Sequence, residues 1–356
     1  MYPTMLKKII LAVLLPIVAC VCIWSVVGAA KANAANKYWK KACKIEDKLI
    51  ANHRQGTDGD FENLVSYTTK ATQIQPDNIE YRCWLNMWKW WNISRKTDPN
   101  TDILPDKSIK EVYEIVNDLQ KSRSICPTFG PLYCLLGQLQ KFVLFEPAGE
   151  DNIKKGFMLE PNNEITLFAA GCLDVSEGES VRAFEKFRKS VQLGGTFFKE
   201  IVSVYIEQAE RPDLAIEIAA DNTRRLRYVI EVLSRSEETA ALAETAKTKL
   251  IELAEQKAER HTADIGELIM LGDYYRKNKD SQKAIEYFNA AVAADYGNAT
   301  LRLQLAQALA DDNQANEAIK QLRICLKLRP KYRSAEKLLR ELSVRPEVIK
   351  KNIENK

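Results

Sequence analysis

Apolar positions recur along most of this chain at intervals of three and four residues, the spacing that lines one face of an α-helix. Leu268, Leu271, Gly272 and Tyr275 mark one such helix, and Ala284, Phe288 and Ala291 mark a second that ends near Tyr296. The pattern returns 34 residues later, where Leu305, Ala306 and Leu309 are followed by Ala318, Leu322 and Cys325, and Pro330 closes the unit. Two consecutive units therefore run from Ile265 to Asn298 and from Ala299 to Tyr332. A fixed period of this length, with small residues where two helices must touch, predicts an array of stacked helical hairpins.

The same count works backward. Pro127 and Pro161 lie 34 residues apart, and Gly195 follows 34 further on. Between the prolines, Tyr133, Leu136 and Gly137 fit a first helix, but Gly149, Ile153 and Gly156 make a degenerate second one. In the unit from Glu164, Leu167, Ala170 and Gly171 are followed at the expected offsets by Ala183 and Phe187. After Phe198 the period slips: Ile201, Val204 and Tyr205 suit a first helix, but Ala215 arrives two residues early, which shortens the turn at Arg211-Pro212. Thr223 to Leu233 and Glu237 to Arg260 read as helices, and Ser334 to Leu342 as a polar capping helix. Nearer the N-terminus, Phe61, Leu64, Val65, Thr68 and Ala71 lead to a turn at Ile74 to Asn78, then an aromatic helix from Tyr81 to Ser94 and a loop from Thr97 to Asp106.

These positions resemble the tetratricopeptide repeat family, whose pattern is a large apolar residue, then Leu-Gly, Tyr, Ala, Phe, Ala and Pro. Tyr296 stands in for the proline and Ala306 for the glycine. The resemblance implies an all-α fold, a helical-hairpin solenoid of about eight helical pairs, acting as an interaction scaffold without chemistry of its own. It also implies a concave groove lined by first helices, which would hold a protein or peptide partner. The residues it carries to that groove are Ile269, Asp273, Arg276, Lys277, Leu303, Gln307 and Asp311. Family members that clamp a C-terminal carboxylate use paired asparagines and lysines, and Asp273 and Gln307 here replace the asparagine. The plain alternative for all seven is a solvated helix face.

Between Lys8 and Lys31 lies a run of 22 uncharged, mostly apolar residues, Ile9 to Ala30. That is long enough to cross a bilayer. It reads as an uncleaved anchor, with two alternatives: a cleaved signal ending at the small residues of Ala30 to Ala34, or a lipoprotein acylated at Cys20 of Ile17-Val18-Ala19-Cys20. Lys31, Lys37, Lys40, Lys41 and Lys44 follow the run, so a positive-inside count puts the repeats in the cytoplasm. A basic tip followed directly by an apolar run nevertheless resembles a secretion signal, and the expectation is an extracytoplasmic soluble part. The expected organisation is a basic tip at 1–8, the anchor or signal at 9–30, a juxtamembrane helix and linker at 31–60, divergent repeats at 61–195, irregular hairpins at 196–262, two well-formed units at 263–332 and a capping helix and tail at 333–356.

Composition narrows the chemistry. The 52 basic and 48 acidic residues leave a net charge of only +4, and no nucleic-acid partner is expected. Eight cysteines occur without C-x-x-C spacing beside two histidines, His53 and His261, so neither metal nor cofactor is expected. Most of the cysteines sit at apolar helix positions, and Cys126 with Cys134 is the pair to suspect of a disulfide. No phosphate loop or nucleophile motif occurs, and catalysis is not expected. Tyr81, Trp84, Trp88 and Trp91 share one helix face. They fill a helix seam or, alternatively, form an aromatic wall for a glycan or lipid, with Trp90 the more exposed ring. The resulting expectation is a membrane-anchored scaffold of the bacterial cell envelope, accessory to surface polysaccharide synthesis or export, with a glycan- or lipid-binding module using the aromatic helix 81–91 as the alternative.

Overall fold

The structure is a computed structural model that describes residues 3–51, 56–96 and 104–344. His53, most of the loop expected at 97–106 and the tail beyond residue 344 lie outside the described residues. Two compact units divide the chain, Met1–Glu210 and Arg211–Lys356. Among the described residues both are built from helices without strands.

The first unit contains α1 (Pro3–Ala51), α2 (Asp58–Ile74), α3 (Ile79–Ser94), α4 (Asp106–Ser122), α5 (Gly130–Gln138), α6 (Ala148–Leu159), α7 (Glu164–Ser176), α8 (Ser180–Leu193) and α9 (Phe198–Ser203). Helices α5 and α9 each continue into a π-helical turn, Leu139–Val143 and Val204–Gln208. Consecutive helices pack as hairpins, α1 with α2, α3 with α4, α5 with α6 and α7 with α8. The second unit contains α10 (Pro212–Ala219), α11 (Thr223–Leu233), α12 (Ala240–Glu259), α13 (Ile265–Lys277), α14 (Ser281–Ala294), α15 (Ala299–Asp311), α16 (Ala315–Leu328) and α17 (Arg333–Ser343). Its hairpins are α11 with α12, α13 with α14 and α15 with α16, and α17 packs on α16. This is a TPR-like helical-hairpin solenoid fold.

The 34-residue signature has a steric cause. A Cβ built on Gly171 would lie 2.4 Å from the Phe187 ring, and one on Gly272 would lie 2.7 Å from the Phe288 ring. Each glycine thus opens the first helix to a phenylalanine from the second. In the α15–α16 pair those two positions hold Ala306 and Leu322, both fully buried. The turns within the α5–α6, α7–α8, α13–α14 and α15–α16 hairpins each place one residue in the left-handed region. Gly178 supplies it at φ 81°, whereas Phe145, Lys279 and Asn313 adopt it without being glycine, at 56°, 62° and 59°. Among the described residues seven helices, α2, α3, α7, α11, α13, α14 and α15, start on a side-chain cap, with capping boxes at Thr57–Asp60 and Asp264–Glu267.

Helix α1 differs from the expected anchor, juxtamembrane helix and linker. It runs unbroken from Pro3 to Ala51, so the stretch from Lys31 onward is both the continuation of the apolar run and the first helix of the first hairpin. Ala35, Ala42 and Leu49, spaced by seven, are buried against α2 and α3. Among the described residues α1 is the one helix long and apolar enough to cross a membrane. Its side chains from Ile17 to Val27 are exposed, Trp24 at 80%.

One further expectation changes. Cys126 and Cys134 are unbonded: Cys134 is fully buried with its thiol toward the Ile153 carbonyl at 3.8 Å, and Cys126 faces Thr128. Burial pushes the Cys134 thiol well above its ordinary value, as it does Cys83, to about 12. The α5–α6 hairpin, whose second helix is degenerate in sequence, is closely packed. A Cβ on Gly137 would lie 2.5 Å from the Gly149 carbonyl, and one on Gly156 would lie 2.5 Å from Cys134 Sγ. Its glycines bring two backbones together where other pairs insert a ring.

Candidate functional site

Among the clefts formed by the described residues, two gather candidate binding residues, one in each unit. In the first unit, a cleft of about 290 Å³ is walled by Trp90 and Trp91 of α3, Phe142 of the π turn after α5, Phe168 of α7 and Phe197 just before α9. The contributing helices α3, α5 and α7 are the first helices of their pairs. Phe168 and Phe197 stack at 4.5 Å with their planes 8° apart, which fixes one wall. The π turn widens α5 at the level where Phe142 enters, and such single-turn bulges occur often at functional sites. An apolar pocket of this type suits a buried aromatic or aliphatic anchor residue from a partner.

The aromatic helix face does not form an open wall. Tyr81 is 7% exposed and Trp88 is fully buried. Trp39 of α1 stacks on both, at 4.7 Å from Tyr81 and 5.4 Å from Trp88, and Trp84 lies 5.7 Å from Trp88. The Trp88 indole N–H donates to Glu46 Oε1 at 3.1 Å. These rings fill the seam between α3 and α1, because a stripe this apolar gains most by closing the first hairpin. Trp91 and the off-stripe Trp90 remain half-buried and reach the cleft.

In the second unit a cleft of about 550 Å³ lies among α11, α12 and α13. Ile269, Asp273 and Lys277 line it together with Tyr274, Arg227 and Lys247. The other four residues carried over from the family are placed differently. Leu303 is 6% exposed in the hydrophobic core, Gln307 is half-buried, and Arg276 reaches Asp311 across the α13–α15 interval at 3.8 Å.

Sequence reasoning missed the group that sets this second cleft. Glu267 is 1% exposed at the N-terminus of α13. It accepts hydrogen bonds from Lys257 of α12, from Thr223 Oγ1 of α11 and from the Asp264 backbone N–H at 2.8 Å. Burial raises its pKa, but Lys257, Thr223 and the Asp264 amide together outweigh this, and the carboxyl titrates below its ordinary 4.5. One carboxylate thereby clamps three helices. The available signal was Asp-x-x-Glu before an apolar run, a capping box. Nearby, Tyr275 donates to Glu255 and accepts from Lys283 Nζ at 3.1 Å, and Tyr287 stacks on it at 5.7 Å. Among the described residues no cluster of metal-binding side chains occurs.

The tetratricopeptide repeat profile matches residues 268–298, which span α13 and α14. That stretch is thus similar to a tetratricopeptide repeat, a unit typical of non-enzymatic interaction scaffolds. Solved structures similar to it include a chain of the APC/C hetero-tetramer Cut9-Hcn1, at 16% identity and a TM-score of 0.37 over 86% of this chain; this chain spans 55% of that one's length. A second is YrrB, described as a TPR protein with an unusual peptide-binding site, at 17% identity and a TM-score of 0.24 over 61% of this chain and 95% of that one. A third is a tetratricopeptide repeat protein from Parabacteroides merdae, at 9% identity and a TM-score of 0.27 over 87% of this chain and 99% of that one. No curated protein matches the sequence.

Proposed function

We propose that this protein is a non-enzymatic, membrane-anchored scaffold of the bacterial cell envelope that holds a protein partner against its first helices. The observation that supports the reading is the apolar cleft of Trp90, Trp91, Phe142, Phe168 and Phe197. Tryptophan and other aromatic anchors dominate binding energy at protein interfaces. The second unit has a cleft of its own, with Ile269, Asp273 and Lys277 beside Arg227 and Lys247, a charged surface suited to orienting a partner bound there. The apolar part of α1 acts as the anchor, raising the local concentration of whatever is bound. A basic tip followed directly by the apolar run favours an extracytoplasmic soluble part. A role beside surface polysaccharide synthesis or export rests on architecture alone, a membrane segment followed by divergent repeats.

Photo-crosslinking in cells tests the cleft. A benzoyl-phenylalanine at position 142 is expected to trap one defined protein, and Trp90→Glu to abolish the adduct. An adduct pattern equal to that from an exposed control position such as Lys320 would defeat the reading. For the orientation, Gly297→Cys is expected to react with an impermeant maleimide on intact cells; reaction only after lysis would place the repeats inside.

A further inference from the structure

The unbroken α1 fixes where the first hairpin sits relative to any membrane that the apolar run enters. The α2–α3 turn, Ile74 to Asn78, shares a recess with Trp24, Val27, Gly28 and Lys31 of α1. The turn therefore lies level with the last apolar residues, at the depth of the headgroups. Five exposed lysines, Lys31, Lys37, Lys40, Lys41 and Lys44, follow along α1, and no acidic residue occurs between Lys31 and Ile45. Lys70 of α2 joins them: the Lys41 and Lys70 ammonium groups lie 5.3 to 6.0 Å from the rings of Tyr38 and Tyr67, which are stacked at 6.4 Å. Among the described residues none of these six lysines forms an ion pair, whereas Lys48 further along is paired with Asp60 at 2.9 Å.

We propose that this lysine face binds the anionic lipid headgroups of the bilayer that α1 enters, seating the first hairpin on the membrane surface. The proposal rests on the anchored reading given above. At about 1.5 Å per residue, Lys37 stands roughly 10 Å and Lys41 roughly 16 Å beyond Ala30. A headgroup layer of about 5–8 Å plus a Debye length of about 8 Å covers that range. Side chains on a helix lean toward its N-terminus, which here aims the ammonium groups back at the lipid. Tyr38 and Tyr67 suit an interfacial depth, being apolar in body and polar at the tip. Asp77 in the α2–α3 turn and Glu80 at the start of α3 oppose the effect, and Glu46 and Asp47 follow directly beyond Lys44, four charges against six.

The experiment uses the full chain reconstituted in phosphatidylcholine bilayers, with spin-labelled phosphatidylglycerol and phosphatidylcholine as probes of the lipids touching the protein. Each lysine near an anionic surface favours contact about fivefold at low salt, so even a partial effect gives an excess of phosphatidylglycerol of at least about threefold. The excess is expected to collapse in about 1 M salt, where the Debye length falls to about 3 Å. It is also expected to vanish in the quadruple variant Lys37→Gln, Lys40→Gln, Lys41→Gln, Lys70→Gln and to survive when the same four become arginine. Equal contact of both lipids with the parent chain, or an excess unchanged in the glutamine variant, overturns the proposal. Alkaline carbonate extraction separates this from failure of the anchor: a chain released by carbonate is not anchored, while one retained without lipid preference is anchored but not seated.

Discussion

The α13–α14 and α5–α6 hairpins solve one packing problem in opposite ways. In α13–α14, Gly272 leaves room for the Phe288 ring, so the contact is side chain into groove. In α5–α6, Gly137 and Gly149 face each other and the backbones themselves meet. The first solution carries the family pattern and can be read from residue types. The second replaces volume with proximity and looks degenerate in sequence although it is the closer contact. Repeat identity in this chain is thus a matter of interhelical distance, which different residue pairs can satisfy.

The largest expected effect comes from removing the ring. Phe288→Ala leaves a cavity in a fully buried position and should cost about 3–5 kcal/mol, read as a drop in the denaturation midpoint and as faster hydrogen exchange confined to α13–α16. Retention of parental exchange there would mean that the ring is not the keystone of that pair. Next, adding one methyl to each kind of glycine should separate the two solutions. At Gly137 the new atom meets backbone that cannot rotate away, so Gly137→Ala should cost about 3 kcal/mol, against about 1–2 for Gly272→Ala, where a ring can shift. Equal losses would erase the distinction drawn between the hairpins.

Acid should then act on the second unit through Glu267. Its folded pKa lies below the unfolded value, so its contribution is complete above the ordinary value of 4.5, shrinks as pH falls below that, and is lost once pH passes the depressed folded value. Protection at the start of α13, with the exchange rate taken relative to the intrinsic amide rate at each pH, should fall between pH 6 and pH 3 in the parent chain, and in Glu267→Gln it should be lower already at pH 6 with a flatter response. A pH response identical in both would remove Glu267 from the clamp. The smallest effect is a gain. Phe145 is 84% exposed and held at φ 56° in the α5–α6 turn. Phe145→Gly should relieve left-handed strain and stabilise by about 0.5–1 kcal/mol, visible as a slightly higher thermal midpoint; a lower midpoint would show that the ring packs usefully.

Much of the fold was legible because helical periodicity and the small-to-large offset are local records of burial. The helices at Thr223–Leu233 and Ile265–Lys277 could be placed from spacing alone. The candidate sites were less legible. Ile269, Asp273 and Lys277 do meet at one cleft, but Leu303 lies at the same kind of position and is core, because its helix is covered on more sides. Phe142, Phe168 and Phe197 come from different elements and share no spacing, so nothing in the sequence joined them.

The sequence by itself determined that the chain is a series of helical hairpins with an apolar N-terminal run, since period, glycine placement and charge distribution are properties of neighbours in the chain. Only the tertiary structure decided that the apolar run and the first hairpin are one helix, that the tryptophan stripe is closed by Trp39, and that three helices converge on Glu267. Those outcomes depend on which surfaces meet across residues distant in sequence, and a contact between distant residues leaves no period to read.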